Sequence, residues 1–236
     1  PIFIVNYNKT FTLDHMTLKN GKKDAAPQYT GATGCGVYTY GTFNMQDSTI
    51  TNCEAVGDGG GVYLATSSST FIMKNSTITG CTATENGGGV CVSGGNFKMQ
   101  GSSAITGCEA IGNTVNHKYG EGGGVYNKGS FEMTGGEIKD NKAETGGGVY
   151  FSEGSFKMSG SAVVTPATGS EANSKGKNDV YLVTGQAITV DGTLSGTAPV
   201  ARITPREYTA GHSYLTGNTN AHHLKFAVTS DVKEDG

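Results

Sequence analysis

Three cysteines recur in step along this chain. Cys53, Cys81 and Cys108 are each followed two residues later by an alanine, Ala55, Ala83 or Ala110, and in the next interval Asn141 and Ala143 take the same places. Thiols can pair as disulfides, ligate a soft metal or act as nucleophiles, and the outcome depends on whether they converge. Intervals of 28 and 27 residues with a constant neighbour read as one column of a repeat, with the thiols stacked in line. A line does not make the tetrahedron that structural zinc requires. Adjacent members would be near enough for one disulfide, leaving a thiol over. The column fits best three buried thiols acting as small hydrophobes. Cys35 and Cys91 occupy other places in the repeat.

Tyrosines form the second set. Gly-Val-Tyr appears at Gly36-Val37-Tyr38, Gly61-Val62-Tyr63, Gly124-Val125-Tyr126 and Gly148-Val149-Tyr150; Gly89-Val90-Cys91 and Asp179-Val180-Tyr181 are its variants. With Val turned inward, Tyr38, Tyr63, Tyr126, Tyr150 and Tyr181 must face outward as a stripe broken by Cys91. Such a stripe either covers its own sheet through ring stacking or offers sugars and proteins an amphipathic platform.

Catalytic constellations are harder to find. Glycoside hydrolysis needs two carboxylates across a cleft, and no Asp cluster falls on neighbouring repeats. A uronate-cleaving lyase needs a base and cations, but Arg202 and Arg206 are the two arginines of the chain and both sit near its end. His15, His117, His212, His222 and His223 have no partner at a telling spacing, and His222-His223 reads as a turn. The triple glycines lack the helix and Lys-Ser/Thr of a phosphate loop. Asp58 precedes its glycines and no nine-residue array follows, which argues against a calcium-binding repeat. No cofactor and no metal is expected.

The elements that carry these residues are short. Phe-x-Met or Phe-x-Leu, followed by an aliphatic residue, recurs as Phe11/Leu13/Leu18, Phe43/Met45/Ile50, Phe71/Met73/Ile78, Phe97/Met99/Ile105, Phe131/Met133/Ile138 and Phe156/Met158/Val163. Polar residues separate most of the Phe–Met pairs, the period-two mark of strands with one buried face. The valines of the Gly-Val-Tyr motif are 25, 28, 35, 24 and 31 residues apart, and the longest interval holds the polar stretch "GNTVNHKYGEG". A unit of about 25 residues with three short strands buries nothing alone, but stacked coils share a continuous core. The expected fold is all-β, a right-handed parallel β-helix with three short strands per coil. Glycines ahead of Val-Tyr provide a tight corner of positive φ where side chains of successive coils would collide.

One domain spans 1–236, with regular coils over 1–165 and degenerate coils and a cap over 166–236. Net charge is −3, hydrophobic residues are 35% and there are 38 glycines and no Trp. That charge gives no case for nucleic acid or an anionic membrane, and no stretch approaches the ~20 apolar residues of a spanning helix. "PIFIV" at the start is too short for a signal peptide, so an export signal or anchor is expected elsewhere.

The segment "IKDNKAETGGGVYFSEGSFKMSG" (138–160) resembles the repeats of bacterial β-helix surface proteins, the polymorphic outer membrane proteins and adhesin-like autotransporter passengers. Ile138-x-x-Asn141 and Gly146-Gly147-Gly148-Val149 stand where that family pairs an aromatic-x-x-Asn with Gly-Gly-Ala-Ile. "AITVDGTLSGTAPVARITPREYTAG" is similar to the closing segment of spirochaete-type surface repeat proteins. The resemblance implies extracellular or cell-surface residence, no catalytic residues, and adhesion to a host or matrix protein or glycan. Self-association of neighbouring copies and a polysaccharide-active enzyme are the alternatives.

Overall fold

The computed structural model describes residues 1–22, 33–112, 119–171 and 174–230. It is a parallel β-solenoid of about seven turns. Each motif becomes a strand that pairs with its counterpart one coil away. Strands such as Val62–Leu64 and Val90–Val92 build a nine-stranded sheet, and Thr70–Lys74 and Asn96–Gln100 belong to an eight-stranded one. The aliphatic position heads its own strand, for example Thr77–Thr79, in a six-stranded sheet. A short fourth strand, Thr82–Ala83 and its equivalents, makes a three-stranded patch. Every named strand pairs in parallel, so equivalent residues stack in register. The stretch 113–118, including His117, lies outside the described residues.

The register explains the core. Phe43, Phe71, Phe97, Phe131 and Phe156 are fully buried and stack with ring centroids 4.7–5.0 Å apart and interplanar angles of 1–10°. Met45, Met73, Met99, Met133 and Met158 line the next inward column and Ile50, Ile78, Ile105 and Ile138 the one after it. Each side chain thus packs on copies of itself above and below, at the ~4.8 Å strand spacing.

One assignment shifts. Ile138 pairs with Val164, not Val163; Val163 is opposite Glu137 and half-buried, while Val164 is fully buried. Met158 to Val164 spans six positions where Met133 to Ile138 spans five. One extra residue before the aliphatic strand moves the inward position by one, since side chains alternate faces.

The three corner glycines do different work. Gly59 has φ +68°, a left-handed conformation that L side chains rarely adopt. Gly60 and Gly61 face the next coil: a Cβ on Gly60 would strike the carbonyl oxygens of Gly88 and Thr82, and one on Gly61 would lie 2.6 Å from Gly89 O. Coils can therefore stack here only without side chains. Beyond Met158 the coils continue with Val180–Leu182, Ile188–Leu194, Ala201–Pro205, Leu215–Gly217 and Phe226–Val228, all parallel to what precedes them.

Candidate functional site

The cysteine column lies inside the coil. Cys53, Cys81 and Cys108 are fully buried, and none of the five cysteines is in a disulfide. Each thiol donates to a carbonyl two residues back, Thr51, Thr79 or Thr106, at 3.6 Å. The sulfurs of Cys53 and Cys81 accept in turn from the N–H of Gly21 and Cys53, one coil earlier. Hydrogen bonding to the neighbouring cysteine, with burial, raises both thiols and keeps them protonated and poorly nucleophilic.

Asn141 does the same job better. Its Oδ1 accepts from the Cys108 N–H at 2.9 Å, and Asn178 Oδ1 accepts from the Asn141 N–H at 3.2 Å. The column therefore runs Cys53, Cys81, Cys108, Asn141, Asn178. It demands a small side chain that can accept a hydrogen bond, because each corner leaves one inward N–H unpaired. Asn178 escapes a reading by motif because no Ile three residues before it marks the place.

The five tyrosines share one outward column with Cys91 among them, in register Tyr38, Tyr63, Cys91, Tyr126, Tyr150, Tyr181. Their surroundings differ. Tyr126 and Tyr150 are only 7% and 9% exposed, while Tyr38, Tyr63 and Tyr181 are half-buried. Rings of Tyr126 and Tyr150 stack at 5.4 Å and 12°, and those of Tyr150 and Tyr181 at 5.1 Å and 10°. Ring faces are thus occupied by neighbouring rings, and this end presents ring edges and hydroxyls. Burial pushes the Tyr126 and Tyr150 phenols up, and the negative charge of Glu121 adds to it.

Polar groups border the stack. The Tyr150 hydroxyl is hydrogen-bonded to the Glu121 carboxylate, and Lys128 Nζ sits 5.7 Å from the Tyr126 ring centroid. Burial raises the Glu121 carboxyl against the opposing effects of Tyr150, Lys128 and Arg206. None of Glu121, Lys128 and Arg206 shares a motif, so only the coil stacking gathers them.

At the other end the rings open out. Tyr40 packs against Tyr38 at 4.9 Å and 50°, and against Tyr7 at 4.8 Å and 30°. Tyr7 is 56% exposed. Tyr7, Tyr38, Tyr40 and Tyr63 therefore make a second aromatic cluster, in which Tyr7 is exposed and the other three are half-buried. Tyr7 and Tyr40 lie outside the Gly-Val-Tyr motif, two residues or less beyond strand ends, where no repeat flags them.

Asp14, His15 and Asp47 bring possible metal-ligand atoms within 4.8 Å of one another, all exposed. His15 Nδ1 is already 2.6 Å from Asp14 Oδ1, a contact any metal would have to replace. His222 lies in a turn and His223 opens a single 3-10 turn, His223–Lys225. Shallow grooves among the described residues include one of about 280 Å³ beside Asp140, Lys142, Glu171 and Lys177 and one of about 350 Å³ beside Ser102, Ser103, Gly136 and Glu137. Among the described residues no helix is long and apolar enough to cross a membrane.

The fold places the chain among parallel β-helix repeat proteins. No protein-family model matches it, and neither a curated protein nor a solved structure matches it.

Proposed function

We propose that this chain is a non-enzymatic, extracellular β-helix that presents a rigid face to a glycan or matrix protein at a cell surface. The observation that supports this reading most is the in-register outward column of the nine-stranded sheet, which sets a tyrosine in five of six successive coils and adjoins the cluster Tyr7, Tyr38 and Tyr40. Aromatic rings with one face open and a hydroxyl at the tip suit partly wet contacts with sugars and proteins. Repetition at the coil spacing suits a long partner, because several weak contacts add on one rigid support.

The test is binding of the purified chain to a glycan and matrix-protein array, with release of reducing ends followed in the same wells. Saturable binding that is lost in Tyr7→Ala/Tyr38→Ala/Tyr40→Ala, with the fold intact by circular dichroism, supports the platform. Binding untouched by that triple substitution moves the site elsewhere on the solenoid. A polysaccharide-active reading draws on Glu121, a half-buried carboxyl that burial pushes up while Tyr150, Lys128 and Arg206 pull it down, as the candidate acid–base group. Reducing-end release abolished by Glu121→Gln would favour that reading over adhesion.

A further inference from the structure

We propose that the stack Tyr126–Tyr150–Tyr181 is a site of oxidative cross-linking, at which peroxide-driven phenol coupling joins adjacent coils through dityrosine bonds. This inference is independent of what the outer face binds. Three phenols stand one per coil, with centroids 5.4 and 5.1 Å apart and nearly parallel planes. Among the described residues it is the longest run of stacked tyrosines in that column, because Cys91 separates Tyr63 from Tyr126.

The chemistry needs more than proximity. A phenol oxidised at neutral pH must lose its proton together with the electron, so it requires a base on its hydroxyl. Glu121 is that base for Tyr150, through the hydrogen bond between the carboxylate and the phenol O–H. Rings in contact let the unpaired electron move from half-buried Tyr181, where an oxidant can reach, to Tyr150 and Tyr126. The balance is simple. Two tyrosines each give one electron and one proton to hydrogen peroxide, which becomes two waters; the two phenoxyl radicals join through ortho carbons, and each ortho hydrogen moves to its own oxygen. The new bond closes a loop of chain one coil long, restricting the unfolded state as a disulfide does.

The experiment treats the dilute, folded chain with a haem peroxidase and hydrogen peroxide and maps the products by mass spectrometry after trypsin. Tyr126, Tyr150 and Tyr181 fall in different peptides, 119–128, 143–157 and 178–202. The expected product is a monomer lighter by two hydrogens per link, with dityrosine fluorescence, a raised melting temperature and a bond placed by fragmentation at Tyr126–Tyr150 or Tyr150–Tyr181. Tyr150→Phe keeps the ring in the stack and should abolish both links. Glu121→Gln, which keeps a hydrogen-bonding group but no base, should lower the yield several-fold. Cross-links confined to exposed tyrosines such as Tyr7 and Tyr119, or yields in the stack indifferent to Glu121→Gln, would overturn the proposal. Should Tyr150→Phe not fold, the native map and Glu121→Gln still decide it.

Discussion

Asn141→Ala probes the inner hydrogen-bond column directly. The substitution removes an Oδ1 that accepts from the Cys108 N–H at 2.9 Å and an Nδ2 that donates to Ile105 O and to Asn178 Oδ1, each at 3.0 Å. Asn141 is 1% exposed, so water cannot step in. The orphaned Cys108 N–H costs about 1–3 kcal/mol. The Ile105 carbonyl adds less, since an under-satisfied carbonyl is better tolerated than an unpaired N–H. Asn178 Oδ1 keeps the Asn141 N–H at 3.2 Å and adds little. The expected loss is about 2–5 kcal/mol in all. Cys81→Ala is the comparison, because it removes a sulfur that accepts from the Cys53 N–H and donates to Thr79 O at 3.6 Å. Sulfur is a weak partner, so this loss should be about 1–2 kcal/mol. Urea unfolding of both variants, followed by circular dichroism with the slopes compared, measures the difference. If Asn141→Ala proves no more destabilising than Cys81→Ala, the account of this column as a set of graded hydrogen-bond acceptors is refuted.

Phe97→Ala opens a gap in the middle of the ring stack and should cost about 3–5 kcal/mol, while Lys98→Ala on the outer face should stay within about 0.5; equal losses in urea melts would contradict the assignment of faces. Gly89→Ala puts a Cβ 2.6 Å from Gly124 O and 2.8 Å from Ile105 Cγ2, and no folded product should appear in the soluble fraction. By contrast, Gly107 has φ +61° and a Cβ there would meet Gly80 N at an ordinary 4.0 Å, and Asn52 and Asp140 hold the same corner at φ +52° and +56°. Gly107→Asn should therefore melt with the native chain and Gly107→Ala should lose about 1–2 kcal/mol. Burial raises the Asp179 carboxyl, against the pull of Thr204 and the N–H groups of Gly147 and Gly176. The folded chain then holds that proton more tightly than the unfolded one. Its contribution is full below the unfolded value of about 3.9 and is lost as pH rises through the folded value. Asp179→Asn should gain stability relative to the native chain as pH rises above about 4; a flat or falling difference in melting temperature would count against this.

How much of this was legible in the residues follows from the physics of stacking. In a solenoid each residue's main partner is its own equivalent one coil away, so a contact between coils is written in the chain as a repeat. Val-Tyr, Phe-x-Met, the following Ile and the Cys-x-Ala pair therefore declared the strands, the inward columns and the corner glycines without any coordinates. The same logic put Cys53, Cys81 and Cys108 in one line with Asn141. Where neighbours are not equivalents, periodicity is silent. Glu121 meets Tyr150, and Tyr7 meets Tyr40, across different places in the coil. One inserted residue moved the inward side chain from Val163 to Val164, and with two valines side by side it is the strand pairing that chooses between them. Exposure is not written in the repeat either: six equivalent places in the outward column hold three half-buried rings, two buried ones and a buried thiol at Cys91. Alternation told which way each side chain points; what lies over it depends on the loops and on the coils above and below, which only the tertiary structure brings together.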